Sequence, residues 1–450
     1  MDYIEETRKK LNKVSSCFCL AKWTTVTLHL ESGTTHSCHH PKVHKIPIEG
    51  LKENPSALHN TPFKIEQRKQ MIEGVRPSEC QYCWNVEDLK SNQVSDRIFK
   101  SGEIHSSTQY DKIVKDPYSK KINPGYVEVS FSNTCQFKCS YCSANFSSTW
   151  QEELNKFGNY PAFSGIRTDE IIEEDQNEYI KAFWDWWPDL KKDLYTFRIT
   201  GGEPLLSPNT FKVMENLMLN PEPNLKLAIN SNLGAPQVLV DKFIGLAKSL
   251  LDKKAVKHLE LYTSIDAFGE KAEYIRNGLK HDYFWSNIEK LLQANERMTI
   301  CIMCTFNALS VTSFIPLLKK IIEINHKYKN PLRARALNID ISYLRNPEYQ
   351  TVQALTPDFA GYVEEILQFI KNNQGKSVGD FTEFYDIHIY KVERLLEWMK
   401  ADVPPETRQK YQREFYEFFS EHDRRRNTDF LKTFPEFGDF WLHCKSLSSK

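Results

Sequence analysis

From residue 126 onward, short apolar runs recur between stretches of helical period, a pattern that predicts strands at 126–132, 195–200, 225–231, 259–265, 299–305 and 337–343. Helices are predicted between them at 208–219, 236–251, 283–295 and 311–326, where proline or capping residues open an amphipathic repeat. Each connection is long enough for a helix, which implies parallel pairing with right-handed crossovers. The fold class is therefore α/β, a partial (β/α)6 TIM-like barrel, with chemistry expected at the carboxyl ends of the strands.

The flanks read differently. Residues 24–30 alternate as a strand, Glu31-Ser32-Gly33 forms a turn, 34–38 returns as a hairpin, and a helix follows at about 63–73. Residues 101–124 are polar and carry Pro117 and Pro124, which predicts a connector. Beyond Thr356 the pattern is helical and rich in aromatic residues, with a basic run at Arg424, Arg425 and Arg426. The predicted organisation is a small N-terminal hairpin and helix module (1–100), a connector (101–125), the barrel (126–345) and a helical C-terminal extension (346–450).

Cysteine placement changes this picture from architecture to chemistry. Eight of the eleven cysteines precede residue 143. Cys135, Cys139 and Cys142, in SNTCQFKCSYC, lie just after the first barrel strand. Three thiolates in one loop can hold three irons of a [4Fe-4S] cube and leave the fourth iron open. A structural zinc would normally close with a fourth Cys or His nearby. Upstream, Cys19 and Cys38 bracket the hairpin, and Cys80 and Cys83 form a CxxC turn, which together supply four ligands. Cys17 competes with Cys19 for that set, and His36, His39, His40 and His44 keep zinc or a mixed Cys/His site open. Cys301 and Cys304 point to opposite faces of one predicted strand and read as core thiols. Trp184, Trp186 and Trp187 read as core packing or a lid before the second strand.

CxxxCxxC after the first strand, together with Thr200-Gly201-Gly202-Glu203-Pro204 after the second, resembles the radical S-adenosylmethionine (SAM) superfamily over residues 126–345. The resemblance implies a [4Fe-4S] cluster on Cys135, Cys139 and Cys142, whose open iron chelates SAM. Reduction would then release a 5′-deoxyadenosyl radical for hydrogen abstraction. It also implies SAM contacts from Gly201, Gly202 and Glu203, from Asn232 after the third strand, and from Ser264, Asp266 and Arg276 around the fourth, with Arg276 on the SAM carboxylate and Tyr141 near adenine. The upstream group resembles the twitch module, an abbreviated SPASM-type domain, although here it precedes the barrel. That likeness implies an auxiliary [4Fe-4S] cluster on Cys19, Cys38, Cys80 and Cys83, and favours Cys19 because Trp23 follows it. Arg97 matches a polar position after the CxxC and Glu87. A one-electron reductant of the flavodoxin or ferredoxin type is implied as partner.

Composition narrows the partners. Lys plus Arg and Asp plus Glu both total 59, with 26% charged and 40% hydrophobic residues, an ordinary soluble globular balance that disfavours nucleic acid as a general partner. The Arg424–Arg426 run leaves room for a local phosphate contact. The charge-free run 299–318 contains Thr299, Asn307 and Pro316, and reads as strand, loop and helix start, not as a membrane span. MDYIEETRKK lacks a signal-peptide core, so a cytoplasmic setting with reduced thiols is expected. No winged-helix module is read before the hairpin, which leaves a small molecule or an exposed peptide side chain as substrate. The rival readings are a zinc-stabilised, non-catalytic binding protein on such a barrel, or a radical SAM core with structural zinc in the upstream site.

Overall fold

The computed structural model describes residues 2–89, 93–161, 175–333, 335–375 and 384–448. The chain divides into two compact units. The first takes Met1–Ser132, Asp169–Ile229 and Ser249–Leu259; the second takes Asn133–Thr168, Asn230–Lys248 and Glu260–Lys450.

The first unit contains β1 (Thr25–His29), β2 (Thr34–His36), β3 (His44–Lys45), β4 (Tyr126–Ser130), β5 (Thr196–Thr200) and most of β6 (Glu222–Ser231). They line up in the order β3-β2-β1-β4-β5-β6. β1 and β2 form the predicted antiparallel hairpin, with Leu28 opposite Thr35. On its other edge β1 runs parallel to β4, with Thr25 opposite Tyr126 and His29 opposite Ser130. β4, β5 and β6 continue in parallel. The hairpin is thus part of the same sheet as the first parallel strands. Val26 and Leu28 on one face and Thr25 and Thr27 on the other are all buried, as expected of a strand covered on both faces.

Capping side chains fix the helices around this sheet. Thr61 accepts a hydrogen bond from the Lys64 amide and Pro62 occupies the first turn, which starts the helix Pro62–Ile72. Asn177 accepts from the Tyr179 and Ile180 amides and starts Glu178–Leu190. The tryptophans of that helix pack as predicted, each with its indole N–H taken up: Trp184 by Asn209 at 2.7 Å, Trp186 by Asn123 at 2.9 Å and Trp187 by Asn216 at 2.8 Å. Two helical features lay outside the sequence reading. Asp2–Val14 is a helix whose Ile4, Leu11 and Val14 meet a core built on Phe18, Trp23 and Trp84. The stretch read as a polar connector carries the short helices Ile104–Ser107 and Tyr110–Lys115, anchored by buried Ile113.

In the second unit the later part of β7 (Val256–Ser264) pairs in parallel with β8 (Thr299–Phe306), Thr299 opposite Glu260, and β8 pairs in parallel with β9 (Leu337–Tyr343). The run 299–318 becomes β8, a turn and the start of the helix Phe314–Tyr328. Among the described residues no helix is long and apolar enough to cross a membrane. Cys301 and Cys304 are buried, in keeping with core thiols. The C-terminal helices, including Pro405–Arg426 and Gly438–Ser448, close on one another through Phe415, Phe419, Phe430 and Phe440. The molecule is a mixed α/β fold with extensive parallel pairing.

The basic run at the end of Pro405–Arg426 is structural. Arg426 pairs with Glu153 at 3.1 Å and donates to the Lys138 carbonyl at 2.7 Å, with both partners of the ion pair almost fully buried. Arg425 donates to the Gly158 and Asn159 carbonyls and covers the Tyr160 ring. Only Arg424 stays exposed, paired with Glu421. The phosphate contact allowed by the sequence is therefore replaced by a loop clamp, because Glu153 and three carbonyls outcompete solvent for two of the three guanidinium groups.

Candidate metal centres

In the second unit the loop from Cys135 to Cys142 is held at nearly every position. Its wedge is Phe137: a Cβ on Gly234 would lie 2.3 Å from that ring, and one on Gly278, which has φ +110°, would lie 2.7 Å from it. Ser147 donates to the Phe137 carbonyl at 2.7 Å, and Ser148 accepts from the Cys135 amide at 3.2 Å. Trp150 donates to the Cys139 carbonyl at 2.9 Å. A two-residue antiparallel contact sets Cys139 opposite Arg276. Ser140 exchanges hydrogen bonds with buried Gln350.

Four of the side chains implied as SAM contacts, Asn232, Asp266, Arg276 and Tyr141, touch this loop or one another. Asn232 accepts from Gln136 at 2.9 Å and from the Gly234 amide at 2.8 Å, and directs its Nδ2 toward the Cys135 sulfur at 3.7 Å. Arg276 forms a two-pronged ion pair with Asp266, Nε to Oδ2 at 2.8 Å and Nη2 to Oδ1 at 3.0 Å. Its Nη1 faces the Cys139 sulfur at 3.8 Å. Tyr141 donates its hydroxyl to Asp266 at 2.7 Å. Ser264, at the carboxyl end of β7, sits opposite Met303 of β8. Burial pushes the Cys142 thiol up to about 12 and raises that of Cys139, where Arg276 opposes the shift. Burial also opposes the charge on Arg276, yet Asp266, Tyr141 and Cys139 hold it well above its ordinary range. The thiols of one loop, with the Arg276 guanidinium beside Cys139, are donors of the kind an iron–sulfur cluster takes.

The strand-end turn Gly201-Gly202-Glu203 belongs to the first unit. Gly201 has φ +122°, and a Cβ there would lie 2.5 Å from the Ser132 carbonyl oxygen. The Gly202 amide donates to that same oxygen at 3.0 Å. Glu203 is buried and accepts from the Leu205 amide at 3.0 Å, capping the short turn Pro204–Leu206.

A separate cavity in the first unit brings Cys19, Cys38, Cys80 and Cys83 to one wall set, along with Lys22, His40, Arg97 and Lys100. Cys17 lies outside that lining and donates its thiol to the Gly74 carbonyl at 3.3 Å. Of the four histidines in the neighbourhood only His40 lines the cavity, and its Nε2 is 2.8 Å from Asp96. Burial pushes the Cys80 and Cys83 thiols up to about 12, with the neighbouring cysteines adding to it. Lys22 is buried and paired with Glu79 at 2.5 Å. Burial works against its charge, but Cys80, Glu79 and Cys38 prevail and hold the ammonium above its ordinary value. Arg97 is buried, pairs with Glu87 at 2.7 Å and donates to the Phe18 carbonyl at 2.9 Å, which fixes the chain next to Cys19. Lys22 and Lys100 gave no sequence signal, because a lysine is by default a surface residue.

Among the described residues no three His, Cys, Asp or Glu side chains converge tightly enough to hold a single metal ion. A four-iron cube spreads its irons over a wider span than one ion, and its sulfur ligands stand correspondingly further apart.

No family model matches the chain. A curated relative, GTP 3′,8-cyclase of Nautilia profundicola, is 28% identical over 117 residues, 26% of this chain and 30% of that protein, so the match spans under a third of the relative's length. Among solved structures, SuiB of Streptococcus suis aligns over 79% of this chain and 69% of its own, at 14% identity and a TM-score of 0.37.

Proposed function

We propose that the chain is a radical SAM enzyme with an auxiliary iron–sulfur cluster. The observation that carries this reading is the locked loop of Cys135, Cys139 and Cys142, three thiols from one short segment with a charged guanidinium beside Cys139. The likeness to GTP 3′,8-cyclase supports the same superfamily. In this reading Cys135, Cys139 and Cys142 hold a [4Fe-4S] cluster, and Cys19, Cys38, Cys80 and Cys83 hold a second. When bound, the first cluster and SAM supply reductive cleavage to methionine and a 5′-deoxyadenosyl radical.

The chain's own residues bind and orient. The superfamily resemblance assigns Glu203 to the SAM amino group and the Gly201-Gly202 pair to a backbone contact, for which residues without a Cβ are suited. Asn232 and Ser264 contribute polar contacts from strand ends, and the Tyr141 ring lies by the adenine. The substrate is a small molecule or an exposed peptide side chain, and a flavodoxin or ferredoxin delivers the electron.

The test is iron and acid-labile sulfide per chain after anaerobic reconstitution, with a 5′-deoxyadenosine assay. About eight irons per chain and SAM cleavage support both clusters. About four irons with one zinc keep the radical SAM core and make the upstream site structural. Cleavage that persists after joint replacement of Cys135, Cys139 and Cys142 by Ala overturns the reading.

A further inference from the structure

Asp266 is fully buried and accepts four hydrogen bonds: from Arg276 Nε and Nη2, from the Tyr141 hydroxyl, and from the Thr305 amide at 2.8 Å. Two carboxylate oxygens offer about four lone-pair sites, so this carboxylate has no capacity left for a ligand. Its effect is on Arg276, which it grips along the edge formed by Nε and Nη2. With that edge fixed, and with the Tyr141 ring 5.5 Å from the guanidinium carbon, the remaining nitrogen Nη1 is directed at the Cys139 sulfur at 3.8 Å. The backbone contact of Cys139 with Arg276 keeps the two residues in register, so the alignment is held from both ends.

We propose that Asp266 is a positioning residue: it clamps Arg276 so that Nη1 donates to the Cys139 sulfur and raises the reduction potential of the cluster this cysteine holds. The proposal rests on the radical SAM reading and goes beyond the expectation that Arg276 serves the SAM carboxylate. A donor and a fixed positive charge at a ligating sulfur favour the more negative, reduced state of the cluster. Arginine suits the task because its charge does not titrate and its planar fork can be fixed on one edge while it donates from the other.

The experiment uses the full chain, reconstituted anaerobically and without SAM, and reads the midpoint potential by electron paramagnetic resonance during a redox titration. The signal of interest is the one lost when Cys135, Cys139 and Cys142 are replaced by Ala; if no signal is lost in that variant, the radical SAM reading itself fails. Asp266→Asn and Arg276→Gln are both expected to shift the midpoint to more negative potential. Arg276→Lys, which keeps the charge and loses the second edge, should recover only part of the shift, and it carries the test alone if the other two variants do not fold. Calorimetry with SAM is the second readout. Unchanged midpoints in all folded variants overturn the clamp, and so does a loss of SAM affinity with no change in midpoint, which would make Arg276 a carboxylate ligand only.

Discussion

The loop in the second unit draws Cys135, Cys139 and Cys142 from eight consecutive residues, whereas the cavity in the first unit draws its cysteines from positions 19, 38, 80 and 83. The loop's sulfurs are close in the chain, but its shape is set by distant partners: Phe137 wedges between Gly234 and Gly278, and Ser140 bonds Gln350. The cavity exists only once the β1–β2 hairpin and the turn leading into Gln81–Asp88 have been brought together by the core around Trp23 and Trp84. The surroundings differ as well. The loop has one guanidinium at one sulfur, while the cavity is walled by Lys22, Arg97 and Lys100. A short motif thus brings its ligands together locally and takes its shape from distant partners, while a dispersed site also depends on distant segments to bring its ligands together at all.

The largest effect that would break this comparison is a chemical one. Replacing Cys80 and Cys83 by Ala should remove about half of the reconstituted iron and leave 5′-deoxyadenosine formation intact without substrate; loss of all iron would show that the two sites do not load independently. Next in size is Arg426→Ala, which leaves the buried Glu153 with only Lys138 and Tyr160 as partners and frees the Lys138 carbonyl inside the loop. It should destabilise by about 2–3 kcal/mol in urea denaturation and lower iron at the loop while sparing the cavity. Burial opposes the charge on Glu153, but Arg426 overrides this and holds the carboxyl down to about 2, so the stabilisation from this pair is present above the ordinary carboxylate range and is lost as the pH falls toward 2.

A smaller effect sharpens the role of the glycine pockets. Gly278→Ala places a methyl group against Phe137 at a positive φ, with an expected cost of about 1–3 kcal/mol by thermal denaturation and reduced iron at the loop alone. The smallest effect is common to both regions. Burial lowers His44 and His105 in the first unit and His422 in the second to about 4. The folded rings stay neutral while unfolded rings take up protons below about 6.5, so stability should fall as the pH drops from about 6.5 toward 4, with urea midpoints at pH 7 above those at pH 5.

The parallel strands were legible from the apolar runs, and every predicted one from 126 to 343 is present within a few residues. The helix Asp2–Val14 was missed: Ile4, Leu11 and Val14 stand at helical spacing, but the dense charges around them hid the stripe. The connector was misread because the apolar residues that pack it, Tyr110, Ile113, Val114 and Ile122, are set among charged and polar ones, yet they are enough to anchor it in a core. Asp266 and Arg276 were both visible as candidates, ten positions apart, yet no spacing rule says that a carboxylate after a strand will take the fork of an arginine after the next helix. The run Arg424–Arg426 had the composition of a phosphate contact, and only Glu153 with the carbonyls of Lys138, Gly158 and Asn159 turned two of its members inward.

By itself the sequence determined the alternation of strands and helices and the three-cysteine loop, because periodicity and spacing act between near neighbours in the chain. It also carried the glycines, since a residue without a Cβ is a local property. The resemblance already favoured Cys19 over Cys17; tertiary structure alone decided that lysines surround the cavity and that Asp266 holds Arg276 toward Cys139. Those outcomes depend on which distant groups meet in a buried place, where a hydrogen bond or a charge left without a partner costs far more than it would in water.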